Sequence, residues 1–243
     1  MKQTNIKSVL ILFLAIPILS FAQSQKITWD YLVKPGSEEW RYSSYAEKLQ
    51  KNQPPMSLMN KLTTTELLEL CMEYPFNMDI LLFNNPNVGI SKILKESTCW
   101  QEYLKREDAL SVLLNEYEKR PASRTEISTD KRRKNKTIIN TYFLEKIISE
   151  SSILNNADLG LQKLLLTGLI KKHEGKKSFP NRYAGYTYYS TLSAIVKVLD
   201  NQDLLDSRII NKSEYYNLVE RGMSNDKDLE INILNEAKYI IDK

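Results

Sequence analysis

Residues 192–199 have the sequence LSAIVKVL, and their apolar side chains recur with the period of an α-helix. The pattern places Leu192, Ile195, Val196 and Leu199 on one helix face, at the spacing i, i+3, i+4 and i+7. One apolar stripe at this spacing is typical of a helix that buries one face against a core. We therefore predict a packed helix here.

The same spacing recurs on both sides of this stretch and indicates the fold class. Glycine and proline are scarce, at 7 and 8 residues, which argues against all-β and low-complexity chains. We predict an all-α protein, an irregular helical bundle or a short array of helical hairpins, with about eight to ten helices. The other stripes are Leu110, Leu113, Leu114 and Tyr117; Leu161, Leu164, Leu165 and Gly168; and Ile233, Ala237, Ile240 and Ile241.

Start and stop signals divide the stripes into helices. Thr63 and Glu66 have the spacing of a capping box that opens a helix through the following leucines. Pro75 predicts a break, because proline disfavours a helical residue before it. Residues 84–89, rich in asparagine, predict a loop. Two lysines before Gly175 predict a helix end at that glycine.

The first 22 residues have the pattern of a secretory signal peptide. A basic start precedes an uncharged apolar run from Val9 to Phe21, and the small residues Ser20 and Ala22 precede the predicted cleavage after Ala22. This run is shorter than the roughly 20 residues that span a bilayer. We predict export without a transmembrane anchor in the mature chain, to the periplasm, the cell surface or the medium.

The mature chain divides into two predicted helical halves, residues 23–119 and 136–243. Between them, residues 120–135 contain few apolar side chains and predict an exposed basic connector. The formal charge of +4 includes two lysines of the signal peptide, so the mature chain carries 4 − 2 = +2. Such a weak charge implies no anionic partner by itself.

The connector contains the densest cluster of charge in the chain. This cluster is a candidate anion-binding site for lipid headgroups or acidic glycans, although a solvated connector is the favoured explanation. No aromatic residue is interleaved with it, as single-stranded nucleic acid would require, so nucleic acid is not an expected partner. Its residues are Lys131, Arg132, Arg133 and Lys134.

The two cysteines, Cys71 and Cys99, leave two alternatives open. A disulfide would close a loop of about 28 residues and stabilise the fold by roughly 3 kcal/mol. Two buried free thiols are the alternative, since Cys71 lies among leucines and methionine. Two cysteines and His173, the single histidine, are too few for the four ligands of a structural zinc site. We therefore expect neither metal nor cofactor.

No residue is assigned a catalytic role. His173 is expected on the surface at a helix end. Two acids facing each other across a cleft would suit glycoside hydrolysis, and Glu66, Glu73 and Asp79 are the candidates for it. Acids beside a leucine stripe are more often a solvated helix face. A helical hydrolase acting on envelope polysaccharide is therefore the alternative function.

A tyrosine-rich segment is the candidate interface. Tyrosine offers rigid amphipathic contact area, which protein interfaces and glycan sites use, although helix packing uses it equally. The segment suggests irregular chain, a short strand pair or an aromatic surface patch. Its residues are Arg182, Tyr183, Tyr186, Tyr188 and Tyr189.

Two motifs within residues 60–120 resemble a family of secreted bacterial proteins of unknown function. They are a Cys-x-x-Tyr-Pro turn, from Cys71 to Pro75, and an Arg-x-Asp-Ala helix, from Arg106 to Ala109. The resemblance implies export and a helical fold, but no activity. Some similar proteins continue into a Cys-His segment, which does not follow Cys99 here. We therefore expect an exported, non-catalytic binding or scaffold protein, with an unknown protein or an envelope glycan as its partner.

Overall fold

The computed structural model describes residues 29–120, 122, 131–155, 157–183, 185–201, 203–205, 209 and 213–243, with the side chains of residues 81, 86, 131–136 and 186 left out. The predicted signal peptide, residues 1–22, and most of the predicted connector lie outside this part of the chain. The protein is 71% helical, and its described residues contain no strand. The predicted all-α class is confirmed.

The N-terminal half consists of short helices, of which two end at an asparagine and two begin at a proline. Its elements are α1 (Glu38–Tyr42), α2 (Tyr45–Lys51), α3 (Met56–Met59), α4 (Thr64–Met72), a 3₁₀ helix (Pro75–Leu82), α5 (Pro86–Glu96), α6 (Thr98–Tyr103) and α7 (Ala109–Glu118).

The C-terminal half contains the long helices, and α11 packs against four of them: α8, α10, α12 and α13. Nine of the α-helices in the described part of the chain have seven or more residues. No described helix is both long enough and apolar enough to cross a bilayer. The elements are α8 (Lys131–Ile148), α9 (Ser151–Leu154), α10 (Leu159–Lys177), α11 (Tyr186–Asp200), α12 (Ser213–Arg221) and α13 (Lys227–Asp242).

One hydrophobic core joins the two halves. A single cluster of buried apolar side chains extends from Tyr31 to Ile240. The rings of Trp100, in α6, and Phe143, in α8, lie 5.4 Å apart and form a direct contact between the halves. The stripes at Leu110 and Leu192 are buried as predicted.

The helix starts agree with the sequence in one place and differ in another. Thr63 and Glu66 form the predicted capping box, with the Glu66 carboxylate 2.9 Å from the Thr63 N–H. The predicted loop 84–89 is wrong beyond Asn85, because the Asn85 side chain caps α5 and Pro86 occupies its first turn. Proline fits there, since that N–H has no partner within the helix.

Helix α10 is longer than predicted, and its buried face only partly coincides with the predicted stripe. It does not end before Gly175 but continues to Lys177. Leu165 and Gly168 of the stripe are buried as predicted, but Leu164 is 58% exposed and Leu166 is buried instead. Three consecutive leucines make the phase ambiguous from sequence.

Helix α8 begins at Lys131, whereas the sequence predicts a connector as far as Asn135. The basic cluster Lys131–Lys134 therefore lies on the first turns of a helix. Its side chains are outside the described set, and its anion binding stays a prediction.

Candidate functional site

A cleft of about 720 Å³ lies beside the C-terminal end of α4. Residues 29–35, which we call the strap, form one wall, and Asn140 of α8 contributes to another. The volume is within the range of small-molecule sites. The lining residues are Trp29, Asp30, Tyr31, Lys34, Pro35, Met72, Glu73, Tyr74, Pro75, Asn77, Met78 and Asn140.

Buried hydrogen bonds hold the strap in place. The Asn52 side chain accepts from the Val33 N–H at 3.0 Å and donates to the Val33 carbonyl at 2.8 Å. The Tyr31 hydroxyl donates to the carbonyl of Leu70 at 2.8 Å. Asn52 is fully buried, and its amide satisfies the Val33 N–H and carbonyl as the backbone of a neighbouring β-strand would.

The polar groups of three lining residues are already used outside the cleft. The Tyr31 hydroxyl binds α4, and the Tyr74 hydroxyl lies 3.3 Å from Nε2 of Gln53. Asn77 donates to the Cys71 carbonyl at 2.7 Å and accepts from the Trp100 indole at 3.1 Å. The two tyrosines are also almost completely buried, so they form the back of the cleft and offer a ligand little surface.

Trp29 differs from these residues. Its indole Nε1 is buried and has no hydrogen-bond partner among the described residues. An indole N–H is only a donor, and a buried donor without an acceptor costs about 1–3 kcal/mol. A ligand oxygen would relieve that cost once the Trp29 side chain or the strap shifts, because the nitrogen has almost no accessible surface.

The acids at the cleft are exposed. Asp30 forms an ion pair with Lys34, and its side chain is 84% exposed. Glu73 is also exposed, at the end of α4. A glycosidase acid needs a carboxyl whose pKa is raised by burial. Burial does raise the pKa of Asp79, against the charges of Lys92 and Lys48, but Asp79 does not line the cleft.

The structure does not bring the three predicted acids together at this site. Glu66 is engaged in the capping box, where the Thr63 backbone N–H and hydroxyl lower its pKa. Glu73 alone of the three lines the cleft.

A second polar group, the Glu145 cluster, lies in the core and was missed by the sequence analysis. It consists of Glu145, Tyr117, Lys176, Ser190 and Thr191. The Glu145 carboxylate lies 2.7 Å from the Lys176 ammonium, and both side chains are at most 1% exposed. The hydroxyls of Tyr117 and Thr191 donate to the same carboxylate at 2.7 and 3.1 Å, and Ser190 also donates to it.

The Glu145 cluster has a structural role, because its charged groups are not accessible to solvent. Burial lowers the pKa of Lys176, and the charge of Glu145 opposes this shift. Burial and the Glu145 charge together raise the pKa of Tyr117. The signal in the sequence is a single acid in the apolar run Tyr142–Ile148, which by itself does not identify a partner.

The prediction of a surface His173 is wrong. Its ring is fully buried beside Tyr188, because α10 continues past the expected helix end. Nε2 lies 3.2 Å from the Glu230 carboxylate, which also accepts from Lys177 and Tyr188. Burial lowers the pKa of His173, and Glu230 opposes the shift.

The candidate tyrosine interface begins an α-helix rather than a strand pair. Tyr183 is buried, with the Lys176 ammonium 5.6 Å from its ring centroid. Arg182, Tyr188 and Tyr189 are half-buried, and the side chain of Tyr186 is outside the described set. An interface built from these residues stays a prediction.

Cys71 and Cys99 are both free and fully buried. No group of three or more metal-ligating side chains occurs in the described part of the chain. Comparison with known proteins matches the sequence to no family model, no curated protein and no solved structure. The resemblance to secreted bacterial proteins therefore stays a prediction.

Proposed function

We propose that the protein is an exported, non-catalytic binding protein of the cell envelope that holds a glycan unit in the cleft beneath the strap. The observation that supports this most directly is the Trp29 indole N–H, buried at the cleft without an acceptor among the described residues. The signal-peptide pattern of residues 1–22 supports the export.

A sugar ring suits the chemistry of the lining. It presents a C–H face to apolar side chains such as Trp29 and Met78, which keep exposed surface at the cleft, and its hydroxyl or acetamido oxygens accept hydrogen bonds. Trp29 supplies a donor, and the exposed Asp30–Lys34 pair supplies polar groups at the entrance. Sites of this kind combine apolar walls with few polar groups that fix orientation.

The binding test is a titration of the mature protein with N-acetylglucosamine trisaccharide and soluble peptidoglycan disaccharides, followed by calorimetry. Trp29→Phe keeps most of the ring surface but removes the donor, and we expect affinity to fall about tenfold. Trp40→Phe is the matched control, because Trp40 packs 5.1 Å from Phe76 and does not line the cleft. Equal affinity of the two variants would contradict the assigned site.

Failure of the wild-type protein to bind either sugar would contradict the glycan ligand. Export is tested separately: the protein recovered from the envelope should begin at Gln23, and an intact N-terminus in the cytoplasm would contradict export.

Glycan cleavage is the second candidate, because Asp30 and Glu73 both line the cleft. The same trisaccharide is incubated with the protein and analysed for shorter products. Binding without cleavage supports the lead proposal. Cleavage that Glu73→Gln abolishes would replace it with a hydrolase.

A further inference from the structure

Cys71 and Cys99 lie side by side behind the wall of the cleft. Cys71 is near the C-terminal end of α4, Cys99 is in the first turn of α6, and these two helices pack against each other. Both thiols are fully buried, and each one influences the pKa of the other. Two neighbouring cysteines on packed helices are an arrangement in which a disulfide can form.

The surroundings of the two sulfurs differ. The Ser97 hydroxyl lies 3.0 Å from the Cys99 sulfur, and the Tyr31 hydroxyl lies 3.9 Å from it. Burial opposes ionisation of Cys99, but hydrogen bonds with Cys71 and Ser97 outweigh it and lower its pKa, whereas the single Tyr31 proton is donated to the Leu70 carbonyl. Burial raises the pKa of Cys71. Donors around one sulfur stabilise its thiolate, which is the reactive form.

We propose that Cys71 and Cys99 form an oxidisable dithiol, in which Cys99 reacts first and Cys71 resolves the intermediate. The oxidant is a disulfide, either a small one or that of a thiol–disulfide oxidoreductase. The Cys99 thiolate attacks one of its sulfurs, breaks that S–S bond and releases one thiolate. The Cys71 thiolate then attacks the Cys99 sulfur and releases the second. Two electrons and the two thiol protons leave with the products.

Access to Cys99 passes Tyr31 of the strap. The Tyr31 hydroxyl touches both the Cys99 sulfur and the Leu70 carbonyl, so it covers the pair from the side of the cleft. An oxidant therefore reaches Cys99 when the strap opens. The inference does not depend on glycan binding, because a purified protein and a disulfide suffice to test it.

The experiment incubates the purified, reduced mature protein with oxidised glutathione, then alkylates it in denaturant and measures its mass. We expect the wild-type protein to lose both free thiols without retaining glutathione. Reducing this bond should lower Tm by about 6–12 °C, for a loop of this length in a chain of this size. Two alkylated cysteines after prolonged oxidation would overturn the proposal.

Two single variants test the order of reaction. Cys71→Ser should accumulate one glutathione on Cys99, because the resolving thiol is missing. Cys99→Ser should react at least about tenfold more slowly at Cys71. Equal rates in the two variants would overturn the assigned order. If a variant does not fold by circular dichroism, timed alkylation of the reduced wild-type protein decides, and faster modification of Cys71 than of Cys99 would overturn it.

Discussion

Lys176 is a charged side chain in a dry core, and its partners decide whether it stabilises the fold. Its ammonium donates to Glu145, to the Thr187 carbonyl at 2.7 Å and to Ser190 at 3.2 Å. Removing one partner of a buried ion pair leaves a desolvated charge and costs about 3–5 kcal/mol. Breaking the ion pair is therefore strongly destabilising, even though the intact pair contributes little net stability.

We predict that Lys176→Met lowers the free energy of unfolding by about 3–5 kcal/mol in urea denaturation. The control is Lys177→Met, the same substitution one residue later, where the side chain is 65% exposed and pairs with Glu230. That control should cost less than about 1 kcal/mol. Similar losses in the two variants would show that the Glu145 cluster is not buried as described.

Titration of Lys146 should change the free energy of unfolding with pH. It is buried, its ammonium donates to the Asn87 side chain at 2.9 Å, and burial lowers its pKa to about 8, against the charges of Glu145 and Glu150. Burial also lowers the pKa of Lys172 to about 8. Above these values the unfolded chain binds more protons than the folded one, so stability rises with pH.

We predict that the free energy of unfolding rises between about pH 8 and 10, by at most about 1.4 kcal/mol per pH unit for each amine. Lys146→Met should remove part of the rise, because Lys172 and the buried Lys176 contribute the rest. Urea denaturation at several pH values measures it. A flat or falling profile in the wild-type protein would show that neither lysine is desolvated.

These residues could not have been identified from the sequence. Charged residues on a helix normally lie on its solvated face, and here only tertiary packing buries them. The four residues are Glu145, Lys146, Lys172 and Lys176. Thr63 and Glu66 were predictable, because a capping box is a local interaction over three residues.

At the scale of elements, the contact between the 3₁₀ helix and α5 depends on Gly89. A Cβ there would lie 3.0 Å from the Ile80 Cα and 2.9 Å from the Phe83 ring. The backbone of Ile80 is not free to move aside, so the missing side chain sets how closely the two helices approach.

Gly89→Ala should therefore destabilise the protein by about 1–3 kcal/mol, although alanine is the better helix former. Gly160→Ala in α10 is the matched control, because its Cβ would meet only the Asp158 side chain, at 3.4 Å. The control should be neutral or stabilising by up to about 1 kcal/mol. Thermal unfolding compares them, and a stabilised Gly89→Ala would contradict the close approach.

The helices themselves were largely predictable, because each stripe is a local pattern. Which face of a helix is buried was less predictable where apolar residues are consecutive, as at Leu164–Leu166. The strap was not predictable, since its position depends on Asn52, about 20 residues away in the chain.

At the scale of the whole molecule, the two predicted halves should unfold together because they share one core. All three tryptophans lie in the N-terminal half, at positions 29, 40 and 100, whereas the long helices lie in the C-terminal half. Tryptophan fluorescence therefore reports mainly on one half, and far-ultraviolet circular dichroism mainly on the other.

We predict coincident urea transitions by the two signals, as expected of one cooperative unit. Phe143→Ala, at the contact with Trp100, should shift both midpoints equally and cost about 3–5 kcal/mol. Transitions that separate, with fluorescence changing at lower urea, would indicate two independent cores. The cleft belongs to this scale too, because its lining comes from the strap, α4, the 3₁₀ helix and α8.

The Glu145 cluster also has an evolutionary consequence. Its side chains come from α7, α8, α10 and α11. A change at one position leaves the remaining polar groups buried without a partner. Drift at these sites should therefore proceed by paired replacement. Descendants of a common ancestor should either retain the acid at 145 with the lysine at 176, or have lost both in favour of apolar residues.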